Sequence, residues 1–198
     1  KVGNERTLKL DYDMAIADRV GGAAVIIASG NLNIYGGNYK NNIVKAEDTS
    51  LENGKVSTLG GAIYNYSNLR IYGGTFESNQ GTRGGAIYNY RITKIYGGEF
   101  IKNYATVSGG MVFSANSAAC HLIIGTAEET ENPVLIKNNS SKSNGGAIYS
   151  QTFSAFVING NTVFEGNKVT SGNGGAICVY GQFTARNVTF KKNTASYR

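Results

Sequence analysis

The chain has 198 residues, 41% of them hydrophobic, and a formal net charge of +6, which supplies one continuous core and excludes a disordered linker. Its 27 glycines stand beside a single proline, Pro133, so collagen, with glycine at every third position and abundant proline, is excluded too. The longest purely apolar stretch, Ala23 to Ala28, is far shorter than the roughly 20 residues of a membrane-spanning helix, so no transmembrane segment is expected.

Residues 1–20 stand outside any repeat and read as an N-terminal cap, with Leu8, Leu10, Met14 and Ile16 available to cover the first coil. From Gly21 the chain aligns with itself. GGAAVIIASGNLNIYGGNYKNN is followed by GGAIYNYSNLRIYGGTFESN from Gly60 and GGAIYNYRITKIYGGEFIKN from Gly84, and further units open at Gly109, Gly145 and Gly174. Each unit closes on an aromatic or aliphatic residue three before an asparagine: Tyr39 and Asn42, Phe76 and Asn79, Phe100 and Asn103, Leu135 and Asn138, Phe164 and Asn167, Phe190 and Asn193. Gly60 to Phe76, Gly84 to Phe100 and Gly174 to Phe190 all span 16 residues, a register that independent loops would not keep. Insertions at 43–59 and 125–133 break the period and read as loops leaving the shaft.

Short β-type segments punctuated by Gly and Asn, recurring about every 24 residues, mean one supersecondary unit per turn of a solenoid. The expected fold is all-β: a right-handed parallel β-helix over residues 21–198, with about six to eight coils of about 24 residues. Alternation assigns Ile63, Ile87, Val112, Ile148 and Ile177 to one inward stack, Ile34, Ile71 and Ile95 to a second, and Phe76, Phe100, Phe164 and Phe190 to a third. The glycine pairs turn the chain where a Cβ would clash. The repeated Asn is read as a bend residue that takes the left-handed conformation and bonds local backbone. Cys120 and Cys178 fall at different repeat positions two repeats apart, beyond disulfide reach, and are expected to be free thiols.

GGAI stands intact at residues 60–63, 84–87, 145–148 and 174–177, and FxxN in four units. Together they resemble the chlamydial polymorphic outer membrane proteins, autotransported surface adhesins, and similar bacterial surface repeats of the pectate-lyase-like right-handed β-helix class. The resemblance covers residues 21 to 193 and implies an extracellular or cell-surface module. β-Helices also host lyases, hydrolases and phage spikes, so function has to be argued from side chains.

No catalytic residue, metal site or cofactor is expected. Asp occurs only at positions 11, 13, 18 and 48, outside the intact coils, and the coil body beyond Gly60 outside the second insertion holds only Glu77, Glu99 and Glu165. Glu77 and Glu165 share a repeat position several layers apart and cannot converge on one glycosidic bond. Asp11 and Asp13 read as a solvated cap strand rather than a cation site. Cys120 and His121 are adjacent on a strand and point to opposite faces, which suits neither nucleophilic nor metal chemistry.

Binding candidates are aromatic and basic. The residue after each inward aliphatic is expected to face solvent, giving the row Tyr64, Tyr88, Phe113 and Tyr149, ending at Cys178; a second row is Tyr35, Tyr72 and Tyr96. Arg70 with Lys94, and Lys102 with Lys137, are read as equivalent basic positions, and the excess of Lys and Arg favours an acidic partner. The expected partner is a host or matrix glycan or protein; nucleic acid is not expected, since no groove-reading motif appears. The alternatives are head-to-tail self-association into fibres and a fragment of a polysaccharide lyase or hydrolase.

Overall fold

The computed structural model describes residues 19–44, 57–125, 133–151 and 155–196. Every regular element among them is a β-strand, and every strand pairs in parallel with the equivalent strand one coil away, forming a parallel β-helix. One coil shows the plan. Gln80–Arg83 lies in the first sheet, Ile87–Asn89 in the second, and Ile92–Ile95 and Gly98–Ile101 in the third. The second sheet has six strands, one per stacked coil.

Alternation explains the strands. In Asn68–Ile71, Leu69 and Ile71 are fully buried while Asn68 and Arg70 are half-exposed, the signature of a strand with one wet face. Ile63, Ile87, Val112 and Ile148 stack in register and are fully buried. So are Phe76 and Phe100, whose rings stack at 4.7 Å, and Phe164. Burial of each such side chain contributes roughly 1.5–3 kcal/mol.

The glycine pairs divide their labour. Gly60 has φ 65°, and a Cβ there would strike the carbonyl oxygen of Ile63. A Cβ on Gly61 would strike the carbonyl oxygen of Gly85 in the next coil, so the second glycine sets coil-to-coil approach rather than the turn.

Two registers shift by one residue from the sequence alignment. Val25 pairs with Ile63, so Gly22, not Gly21, is the partner of Gly60. Phe100 pairs with Ile136, so the fourth unit closes on Ile136 and Asn139 rather than Leu135 and Asn138. Leu135 is only half-buried, whereas Ile136 is fully buried: a one-residue slip exchanges the faces of a strand.

The asparagines also act differently from the expectation. The left-handed conformation falls on the preceding residue, at Asn41, Ser78, Lys102, Asn138 and Lys192. The Asn itself points inward and bonds between coils. Asn103 Oδ1 accepts from the backbone N–H of Asn79 at 3.0 Å and from its Nδ2 at 2.9 Å, while Asn103 Nδ2 donates to the carbonyl of Phe76 at 2.9 Å and to Asn139 Oδ1 at 2.9 Å. The same pattern runs from Asn42 through Asn193. A buried amide with its donors and acceptor engaged satisfies the backbone groups that the bend would otherwise orphan.

Ile43 forms a bridge with Gln80, and Ser57–Leu59 pairs with Arg19–Gly21, so the ladders take in both flanks of the first insertion. Residues 45–56 and 126–132 of the two insertions, and residues 1–18 of the expected cap, lie outside the described residues.

Candidate binding surface

The Tyr64 row leaves the core on its outer side, as alternation requires, but it does not reach solvent. Tyr64, Tyr88 and Phe113 are 6%, 5% and 3% exposed, and only Tyr149 is half-buried. The expectation of an exposed face is corrected here by the cross-section of the coil. The glycine-pair turn folds the end of the first sheet against the outside of the second, so that Leu59 packs with Tyr64, Tyr88, Phe113 and Ala115 in a second apolar cluster. The Arg83 guanidinium lies 5.6 Å from the Phe113 ring centroid. Rings in this corner stack at 5.3 Å from Tyr64 to Tyr88 and again from Tyr88 to Phe113. The row ends at Cys178, which pairs with Tyr149.

The second row is exposed. Tyr35 and Tyr72 are 76% and 43% exposed and Tyr96 is half-buried. Their centroids lie 4.9 Å and 5.2 Å apart. The next position is Gly125, whose N–H donates to the carbonyl of Ile95 as that of Tyr96 does to Ile71, each at 2.7 Å. The ladder therefore ends where the second insertion leaves the coil.

Arg70 and Lys94 are cross-strand partners, and each stands two residues before a ladder tyrosine on the same outward face. Arg70 Nη1 also reaches Asn31 Oδ1 at 3.5 Å. The third sheet thus joins Tyr35, Tyr72, Tyr96, Arg70 and Lys94 into one surface, although the sequence offered them as separate signals. Lys102 and Lys137 do not form an equivalent pair, because the register shift puts Lys137 opposite Ile101 and Lys102 at the left-handed turn position. Lys137 belongs instead to a charge row with Glu165 at 3.9 Å, which Lys191 approaches to 3.4 Å. Further along that row Lys40 meets Glu77 at 2.9 Å, holding the Glu77 carboxyl below its ordinary range.

Glu77 and Glu165 are separated by the rungs of Ile101 and Lys137, about 14 Å at ordinary strand spacing. Paired carboxylates of glycosidases stand roughly 5–10 Å apart. Cys120 is fully buried, its thiol pushed up to about 12 by loss of water, while His121 beside it is exposed. Its sulfur lies 3.3 Å from Asn89 Nδ2, inside a second amide network in which Asn65 Nδ2 donates to Asn89 Oδ1 at 3.2 Å and to Thr93 Oγ1 at 2.9 Å. Both cysteines are free. Among the described residues no group of three or more His, Cys, Asp or Glu side chains gathers as a metal-ligand set.

One aromatic row escaped the sequence reading. Tyr66 and Tyr90 stack at 4.6 Å, partly buried beside the corner cluster. The signal was the second tyrosine of IYNY, which recurs in the units from Gly60 and Gly84.

The coil geometry can be set against known proteins. Residues 133–151 and 158–180 match the Chlamydia polymorphic membrane protein repeat. Each matched stretch of this membrane protein repeat takes in the asparagine bend, a first-sheet strand, the glycine pair and a second-sheet strand, so the repeat unit corresponds to a structural coil segment. The resemblance carried by GGAI and FxxN is thereby shown, and the match is to a family of outer-membrane surface proteins. No curated protein and no solved structure matches the chain. Among the described residues no helix is long and apolar enough to cross a membrane.

Proposed function

We propose that the chain is a non-enzymatic, extracellular adhesin-like module that binds a glycan or protein along the outer face of its third sheet. The observation that carries this reading is the exposed Tyr35–Tyr72–Tyr96 ladder with Arg70 and Lys94 beside it. Tyr35 stacks on one face of Tyr72 and Tyr96 lies tilted by 33° against the other, so the middle ring offers mainly its edge and hydroxyl outward. Such a surface is rigid, costs little side-chain entropy on binding, and suits a partner with hydroxyl or carboxylate groups. The non-enzymatic reading draws on the wide spacing of Glu77 and Glu165 and their engagement by lysines.

Glycan and extracellular-matrix protein arrays probed with the wild type and with a Tyr35→Ala, Tyr72→Ala, Tyr96→Ala triple variant test the proposal. Loss of about tenfold or more in affinity is expected at a genuine contact surface. Wild-type binding by the triple variant would remove the ladder from the interface. Release of reducing or unsaturated sugar from polyuronides would overturn the non-enzymatic reading.

A further inference from the structure

The first sheet carries a feature outside the surface just described. Lys142, Thr170 and Ser196 follow one another along the axis: Thr170 N–H donates to the carbonyl of Ser141 and Ser196 N–H to that of Val169, each at 3.1 Å. Lys168 precedes Thr170 by two residues and shares its outward face, since Val169 between them is fully buried. Lys142 and Lys168 are therefore diagonal neighbours, which places their Cβ atoms roughly 7–8 Å apart. Ser171 closes the corner, its N–H donating to the carbonyl of Lys142 at 2.8 Å. The five side chains line a cleft of about 450 Å³.

Its chemistry has one sign. Two lysines, one threonine and two serines line it, and no acidic side chain does among the described residues; the Thr170 hydroxyl donates to the carbonyl of Lys142 at 3.3 Å, which leaves the two serine hydroxyls. Neither lysine has an ion-pair partner among the described residues, in contrast to Lys40, Lys137 and Lys191. The acidic residues among the described ones, Glu77, Glu99 and Glu165, all lie in the third sheet. Like charges on adjacent rungs repel, an energy that a bound anion would reverse, and the serine hydroxyls can complete the coordination of a tetrahedral or planar oxyanion.

We infer that Lys142, Lys168, Thr170, Ser171 and Ser196 form an oxyanion-binding cleft that takes the sulfate or carboxylate group of an acidic glycan. The glycan as the source of the oxyanion rests on the surface-module reading above; the oxyanion site itself does not.

The test is a titration of the isotopically labelled full chain with sodium sulfate, followed by amide NMR shifts, against sodium chloride at equal ionic strength. Saturable shifts confined to the cleft, weakened about tenfold by Lys142→Gln and by Lys168→Gln and unchanged by Lys40→Gln, are expected. Non-saturating shifts spread over many lysines, or saturation that survives the double Lys142→Gln, Lys168→Gln substitution, would overturn the site. These side chains are exposed, so the variants' own spectra report whether the coil is intact. A sulfated oligosaccharide and an oligogalacturonate form the second arm. Tighter binding of the former assigns glycan sulfate, tighter binding of the latter assigns uronate, and binding of neither more tightly than free sulfate overturns the glycan source. Loss of glycan binding in the tyrosine triple variant with the sulfate titration intact leaves the two sites distinguishable.

Discussion

The Tyr64–Tyr88–Phe113 row and the Tyr35–Tyr72–Tyr96 row both leave the core on the outer side of a strand and both stack near the rung spacing, at 5.3 Å in the first and at 4.9 and 5.2 Å in the second. One is sealed in a corner and the other stands in solvent. The difference lies in what the neighbouring sheet does. Beside the first row a left-handed glycine turns the chain sharply, and Leu59 and Arg83 of the adjoining sheet close over the rings. Beside the second row the chain continues through Gly73 and Gly74, which carry no side chain to cover Tyr72. Direction relative to the core and exposure to solvent are separate properties, and only the second decides whether a ring can meet a ligand.

The contrast can be broken by truncation. Tyr88→Ala removes a ring packed on both sides, and a loss of about 3–5 kcal/mol is expected in chemical denaturation. A loss near that of a surface site would mean that the corner is open in solution. Arg83→Ala strips one cover from Phe113, and a loss of about 0.5–1 kcal/mol in the same measurement, with a rise in quenching of tyrosine fluorescence by acrylamide, would place that guanidinium where the structure has it. Tyr72→Ala should cost about 1 kcal/mol or less, the value of an exposed aromatic contact, while still impairing ligand capture. Equal losses for Tyr72→Ala and Tyr88→Ala would abolish the distinction between the rows.

The thiols sharpen the same point without altering the packing. Cys178, half-buried at the end of the corner row, should be alkylated well before Cys120, which is fully enclosed; mass spectrometry of timed iodoacetamide reactions reads the order. The Cys120 thiol is pushed from 9.0 to about 12, so the folded state favours its neutral form. That contribution is fully present below the ordinary value and is lost as pH climbs through 9 toward 12, so alkaline unfolding should be shallower in Cys120→Ala than in the wild type. Faster reaction at Cys120 would contradict the enclosed position.

Much of this was legible in residues. Ile63, Ile87 and Val112 were placed in one stack by the GGAI spacing alone, and Phe76, Phe100 and Phe164 in another by FxxN, because both marks recur once per coil and a strand has only two faces. The asparagines announced a bend but not their hydrogen-bonding range. Asn103 joins Asn79 to Asn139, and such partners become visible only once the coils are superposed. The slips at Gly21 and Leu135 share a cause. In GGAA and in PVLIKNN, adjacent residues of similar type fit the repeat equally well locally, and the inter-coil hydrogen bonds select one.

The surface was the less legible part. Arg70 and Lys94 were found from the repeat, but their place beside Tyr72 and Tyr96 follows from the shared outward face of one sheet. Lys142 and Lys168 occupy different repeat positions and become neighbours only as a diagonal across two rungs.

By itself the sequence determined the winding of the chain, the identity of the inward stacks and the absence of Asp from the repeat, because each depends on residue type and period. The tertiary structure decided which outward side chains meet water and which unlike positions come together. Those depend on the angle between sheets at each turn, a property of the whole coil that no single repeat contains.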